Sequence, residues 1–201
     1  MMTINVRLLG PLMVLLLCGA VTIGQPGADT ESGEFPTPQL RHLELFIGPW
    51  SVTETHYGVR GEIVATVKGT EEIRWILDRH AIRRTYLTST GTGVFRAEGT
   101  LTWSDSEKHY AGIWIDNAST SGFSTVVGEW NETERTMVFT LESPNAKGNK
   151  RRFKVVERFI DQDTRVATTF ELDGSKVIKR IEVQYRRSTP CPAKIRGIFD
   201  R

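Results

Sequence analysis

The chain has 201 residues, a formal net charge of +2, and 25% charged residues with both signs interspersed. A balance so close to neutral gives no clustered basic face of the kind nucleic acid selects, so the expected partners exclude nucleic acid. A chain of this length buries about 70% of its unfolded surface on folding, so packing suffices without a disulfide framework.

Residues 1–24 read as a signal peptide: Arg7 precedes an apolar run from Leu8 to Leu17, and small residues follow at Gly19, Ala20 and Gly24. The run is shorter than the roughly 20 apolar residues a membrane helix needs, so no membrane span is expected once the signal is removed. The expected location is secreted or periplasmic. Lipoprotein anchoring through Cys18 is disfavoured, because the large Leu17 stands where lipoprotein signals generally have a small residue. Cleavage after Ala20 or Gly24 would leave Cys191 alone, and one cysteine makes no internal disulfide.

Residues 25–37 are rich in Gly, Pro, Ser and Thr and read as a flexible leader. Residues 38–47 place Leu40, Leu43 and Leu45 before Gly48, which predicts a short amphipathic helix with a glycine stop. From Trp50 onward, alternation takes over. Strands are expected near 50–57, 61–68, 71–77, 80–89, 94–103, 108–116, 123–130, 136–142, 151–160, 165–172 and 176–186. Turn chemistry separates them, most firmly at Asp173-Gly174.

Long strands joined by short turns, with no helix between them, predict an all-β fold: a single antiparallel up-and-down β-barrel of about ten strands. Closure removes the costly edges an open sheet would expose. A two-sheet sandwich is the alternative. The domain spans 38–187, with 188–201 as a C-terminal tail. The basic stretch Lys147, Lys150, Arg151, Arg152 and Lys154 reads as a solvated turn and strand start.

Gly48-Pro49-Trp50 opens the first strand and Tyr185-Arg186-Arg187 closes the last. This resembles calycin-type (lipocalin-like) barrels, in which a Gly-x-Trp begins the first strand and a basic residue of the last strand packs over the indole. The resemblance implies Trp50 and Arg186 as the pair closing one end.

The segment Asp105-x-x-Lys108-x-Tyr110-x-Gly112-x-Trp114-x-Asp116-x-x-Ser119, with Gly128 and Tyr185-Arg186, extends the likeness. It resembles a bacterial family of exported proteins, domain-of-unknown-function family 1579, over roughly residues 38 to 187. That resemblance implies a fold and a compartment and carries no catalytic residues.

The Tyr110, Gly112, Trp114, Asp116 face is aromatic, spaced by glycine and ends in a carboxylate, as a strand lining a small-molecule cavity would be. The opposite face, His109, Ala111, Ile113 and Ile115, is more uniformly apolar, so either could point inward. Glu54 and His56 share a face with Trp50 and Val52; they read as polar anchors for a ligand, or as wet side chains on an outward face.

Glu157 lies among Phe153, Val155 and Phe159, and Lys179 among Val177, Ile181 and Val183. If those faces are interior, the two charges are expected to form a structural ion pair. His80, Ile82, Arg84 and Tyr86 read as an outward face with snorkelling side chains. Trp75, Trp103, Trp114 and Trp130 lie on separate strands and read first as packing groups.

No Gly-x-Ser-x-Gly elbow is present, and His42, His56, His80 and His109 are isolated, so neither a serine nucleophile nor a metal site is expected. The expected partner is a small hydrophobic molecule in the barrel, with Glu54, His56, Tyr110, Trp114 and Asp116 as candidate ligand-binding residues. No cofactor is expected; haem is a minor alternative, because the glycine-rich strand start of haem-holding barrels is absent. The other readings are an isomerase or cyclase acting on a lipid-like substrate, and a structural barrel with a filled interior.

Overall fold

The computed structural model describes residues 35–188, apart from 92, 120–121 and 145–149. The expected signal peptide, most of the leader, both cysteines and all but the first residue of the tail lie outside the described residues. A 3-10 helix, Pro38–Phe46, precedes ten strands: β1 Gly48–Tyr57, β2 Ile63–Ile76, β3 Ala81–Thr90, β4 Gly93–Ser104, β5 His109–Asp116, β6 Phe123–Asn131, β7 Thr136–Pro144, β8 Lys150–Phe159, β9 Thr164–Asp173 and β10 Lys176–Arg187.

Every strand pairs antiparallel with its sequence neighbours, and β1 pairs with β10, so the meander closes into a barrel. The up-and-down barrel is therefore the fold, and the sandwich alternative falls. Asp173-Gly174 makes the β9–β10 turn, with Gly174 at φ +57°.

One local expectation differs from the structure. The segments expected at 61–68 and 71–77 are one strand, β2, because Gly69 continues the strand instead of turning it. A Cβ at Gly69 would stand 2.0 Å from the Leu87 carbonyl oxygen on β3, so glycine there permits close approach of two backbones. The expected short helix is present and is of the 3-10 type: Leu40, Leu43 and Phe46, spaced by three, share one face at three residues per turn, and all are buried.

Interior positions follow the period of two. On β1, Trp50, Val52 and Glu54 are buried. On β5, Tyr110, Gly112, Trp114 and Asp116 face inward, while Ile113 and Ile115 are 44% and 49% exposed, which decides between the two faces. The core sits at the helix end, where Leu40, Leu43 and Phe46 pack over Trp50, Ile73, Ile82, Met137, Phe139 and Phe159. Phe35, just before the helix, lies 5.6 Å from the Trp75 ring and 3.9 Å below the Arg79 guanidinium, so ordered packing begins inside the expected leader. Of the basic stretch, Lys147 lies outside the described residues, while Lys150 meets Glu142 and Arg151 meets Glu171.

Candidate functional site

One end of the barrel is closed from the sequence upward by Gly48 and Trp50. Gly48 has φ +118°, and a Cβ there would lie 2.7 Å from Arg187 Nη1, so only glycine lets the chain turn from helix into strand under that guanidinium. Trp50 is fully buried and donates its indole N–H to the Phe46 carbonyl at 2.7 Å.

The cation over the indole is Arg187, 4.1 Å from the ring centroid, and not Arg186, which is exposed. The alternation explains the one-residue correction. Tyr185 is buried on the interior face and Arg186 therefore points outward, while Arg187 at the strand end turns its guanidinium back over the plug. There it donates to the Ile47 carbonyl and, at 3.2 Å each, to those of Leu45 and Gln162.

Above this plug, four charged side chains form a ring across the lumen. Arg84 donates through Nε to Glu71 and through Nη2 to Glu157, each at 2.8 Å. Arg165 donates through Nη1 to the other oxygen of Glu157 at 2.7 Å and through Nη2 to the other oxygen of Glu71. Each carboxylate thus accepts from both arginines, and the ring ties β2 and β3 to β8 and β9. Arg165 is fully buried and stacks 3.9 Å from the Tyr185 ring and 4.7 Å from Trp50.

Burial alone would raise the Glu157 carboxyl, but Arg84 and Arg165 outweigh it and hold the group below the ordinary carboxylate range. Burial likewise opposes the charge on Arg84, and Glu157 with Glu71 more than offsets it. Two positive and two negative charges cancel, so the ring is an uncharged floor built from ions.

Two sequence expectations change here. Glu157 is buried and paired as expected, but its partners are Arg84 and Arg165. Lys179 pairs with Glu182 at 2.7 Å, because a bulge between Lys179 and Ile181 shifts the β9–β10 register and turns Lys179 off the face that carries Ile181 and Val183. The face of Ile82, Arg84 and Tyr86, read as outward, points inward: Ile82 is fully buried and Arg84 belongs to the ring.

Between the ring and the open end lies a cavity of about 600 Å³. Phe95, Trp114, Phe139, Leu141, Phe153 and Val155 give it an apolar wall, with Arg84 and Glu157 in its floor. Of the candidate ligand-binding residues, Glu54, His56, Trp114 and Asp116 line this cavity.

Tyr110 does not line it. It is buried at the closed end, where its hydroxyl donates to the Gln39 carbonyl at 2.7 Å and meets His42 Nδ1 at 2.8 Å, anchoring the helix. Burial lowers the pKa of that histidine, although Glu132 opposes the shift. Asp116 spends one carboxylate oxygen on the backbone N–H groups of Ala118 and Ser119, at 3.0 and 2.6 Å, and so shapes the rim.

Glu54 is 7% exposed and joins two other cavity residues. Tyr86 donates its hydroxyl to Glu54 Oε2, and His56 Nε2 stands 2.6 Å from Glu54 Oε1. Burial first, then the neighbouring Tyr185 and Glu54, push the Tyr86 phenol far above its ordinary pKa, so it remains a donor. The inward placement of Glu54 and His56 sets aside the reading of a wet outward face. Tyr86, Arg84, Glu71 and Arg165 were absent from the sequence candidates; the only signal was a single polar residue among apolar neighbours, as in Glu71-x-Ile73-x-Trp75.

The other tryptophans belong to packing. Trp75 meets Phe35, Trp103 lies 5.1 Å from Tyr110, and Trp130 stacks on His42 at 5.1 Å. Among the described residues no three His, Cys, Asp or Glu are placed to hold a metal ion.

Among solved structures, the barrel is similar to the S-type phycobiliprotein lyase CPES from Guillardia theta, with 12% sequence identity over 78% of this chain and 96% of that one and a TM-score of 0.52. It is also similar to a redesigned beta barrel, mFAP1, bound to DFHBI, at 14% identity over 73% and 99% of the two chains and a TM-score of 0.39. At these identities the likeness to the lyase concerns the fold alone. No curated protein matches the chain. The family described as "Protein of unknown function (DUF1579)" matches residues 35–187, and the chain belongs to that family.

Proposed function

We propose that this chain is an exported barrel protein that holds one small, mostly apolar molecule between the charged floor and the open end. The observation that carries the reading is the cavity: about 600 Å³ is within the range of small-molecule pockets, and its wall is mainly aromatic and aliphatic with a few convergent polar groups. A filled interior, the structural alternative, would leave no such space. The lyase with the similar fold acts on phycobiliprotein by its printed name, and it lends this chain no ligand. Export rests on the residues 1–24 pattern.

The test is titration of the purified protein with a panel of apolar probes, followed by tryptophan emission and thermal shift. Trp114 stands in the wall, so binding should alter emission in the wild type and much less in Trp114→Phe. No change of emission or melting temperature with any probe would refute the reading. Export is tested by cell fractionation and amino-terminal sequencing, and an unprocessed chain in the cytoplasm counts against it.

The His56–Glu54 pair favours one second reading, in which the cavity shields a lipid-like substrate while His56 moves a proton. That reading requires a turnover that His56→Gln abolishes while affinity for the substrate persists.

A further inference from the structure

The cavity has a polar wall with a definite direction. Tyr86 donates to one oxygen of Glu54, so that carboxyl serves as an acceptor, and its other oxygen faces His56 Nε2 at 2.6 Å. A carboxylate oxygen can only accept, so Nε2 carries the hydrogen and the tautomer of His56 is set. The chain Tyr86 to Glu54 to His56 therefore ends at Nδ1. In the neutral ring that atom is a bare acceptor, and it makes no hydrogen bond among the described residues.

His56 lines the cavity with its side chain 35% exposed, whereas Glu54 and Tyr86 are buried behind it. It is the imidazole acceptor that this cavity offers a ligand, beside hydroxyls such as those of Thr88, Thr100, Ser124 and Thr169 that also line it. Of the other charges, Arg84 and Glu157 neutralise each other in the floor, Asp116 at the rim has one oxygen bonded to two backbone N–H groups, and Arg151 at the rim is held by Glu171 at 2.7 Å.

We infer that the ligand of this cavity is an amphiphile with an apolar body and a neutral hydrogen-bond-donating head, such as a phenol or an alcohol, whose O–H donates to His56 Nδ1. The inference rests on the proposed binding reading and specifies its ligand class. Three physical arguments exclude the alternatives. A head group that only accepts, such as an ether or ketone, would face an acceptor and leave Nδ1 unsatisfied on desolvation. An anionic head would lie one imidazole ring from the Glu54 carboxylate, with no uncommitted cation on this wall to offset the repulsion. A purely apolar molecule would desolvate Nδ1 and return nothing.

A matched set of probes with one octylphenyl body separates these cases: 4-octylphenol, its methyl ether 4-octylanisole, and 4-octylbenzoate. Binding is measured by quenching of tryptophan emission in the intact protein. The phenol is expected to bind about tenfold more tightly than the ether, the usual consequence of leaving one buried polar partner unmet. The benzoate is expected to bind more weakly than the phenol.

In His56→Leu, which keeps the apolar volume at a half-exposed position, the phenol and the ether should bind equally. The wild-type ratio needs no variant, so the inference stays testable if that substitution disturbs folding. Equal binding of phenol and ether by the wild type, tightest binding of the benzoate, or a preference that survives in His56→Leu would each overturn the inference while the binding reading stood. Failure of every octylphenyl probe to bind would overturn both.

Discussion

Arg187 and Trp50 face each other across the β1–β10 seam, in register and with the guanidinium carbon 4.1 Å from the indole centroid. The contact locks the barrel closure to the plug, because the same guanidinium donates to carbonyls at the end of the helix. Replacing Arg187 by Met keeps the length but removes the charged donors, each hydrogen bond of this kind being worth about 1.5–3 kcal/mol. Arg187→Met should lower the unfolding free energy by about 2–4 kcal/mol, while exposed Arg186→Met should change it by no more than about 0.5 kcal/mol. Urea unfolding of both variants decides the matter, and equal losses would show that the seam does not depend on this contact.

The ring of Glu71, Arg84, Glu157 and Arg165 predicts non-additive stability. Arg165→Met leaves two buried carboxylates with one arginine between them, and breaking a buried ion network in this way costs about 3–5 kcal/mol. Replacing all four residues together by Leu and Met should recover most of that loss, because no charge then remains to desolvate.

The ring also sets the acid response. Glu157 has its native pKa below the ordinary value, so the stability it contributes is complete above the unfolded carboxyl value of about 4.3 and is lost as pH falls from there through the native value. The wild type should therefore lose stability below about pH 4.3 more steeply than the fourfold apolar variant. Chemical unfolding at a series of acid pH values compares the two slopes, and parallel slopes would refute the assignment.

These relationships mark how far the sequence could be read. Strict alternation and turn residues made an antiparallel barrel of about ten strands legible, because a period of two marks long strands and their turns, whereas the Trp50 plug came from the calycin resemblance, and with the neighbouring arginine, Arg186, over it. Alternation also put Glu54 and His56 on the face of Trp50 and Val52, but left open whether their end of that face was wet. The ring was not legible: its members stand on β2, β3, β8 and β9, and each looks like an isolated polar residue until closure brings opposite walls together. Arg84 was assigned to the outside because a lone arginine among apolar residues usually snorkels. Lys179 reads as sharing the face of Ile181 and Val183 because a bulge leaves no mark in a run of Lys, Arg and β-branched residues, yet one extra residue puts the side chains before and after it on opposite faces. Tyr110 was on the correct face but at the wrong height, a coordinate that face periodicity does not contain.

Three of the chain's four tyrosines make the last prediction. Burial is the leading cause of a raised phenol pKa at Tyr86, Tyr110 and Tyr185, supplemented by Tyr185 and Glu54 at the first, Glu132 at the second, and Glu71 and Glu157 at the third. A group whose native pKa is raised contributes stability that is complete below its unfolded value and is lost as pH rises beyond it. The unfolded phenols ionise near pH 10 while these three stay protonated in the barrel, so above that point each costs about 1.4 kcal/mol of stability per pH unit. Phenolate absorbance followed from neutral to strongly alkaline pH should therefore show these three tyrosines ionising together with the loss of β circular dichroism. Tyr86→Phe, Tyr110→Phe and Tyr185→Phe should each remove one equivalent from that cooperative step. Gradual ionisation of all three while the barrel signal persists would mean that Tyr86 is free to release its proton in the folded state, and the fixed direction of the Tyr86–Glu54–His56 chain would be lost with it.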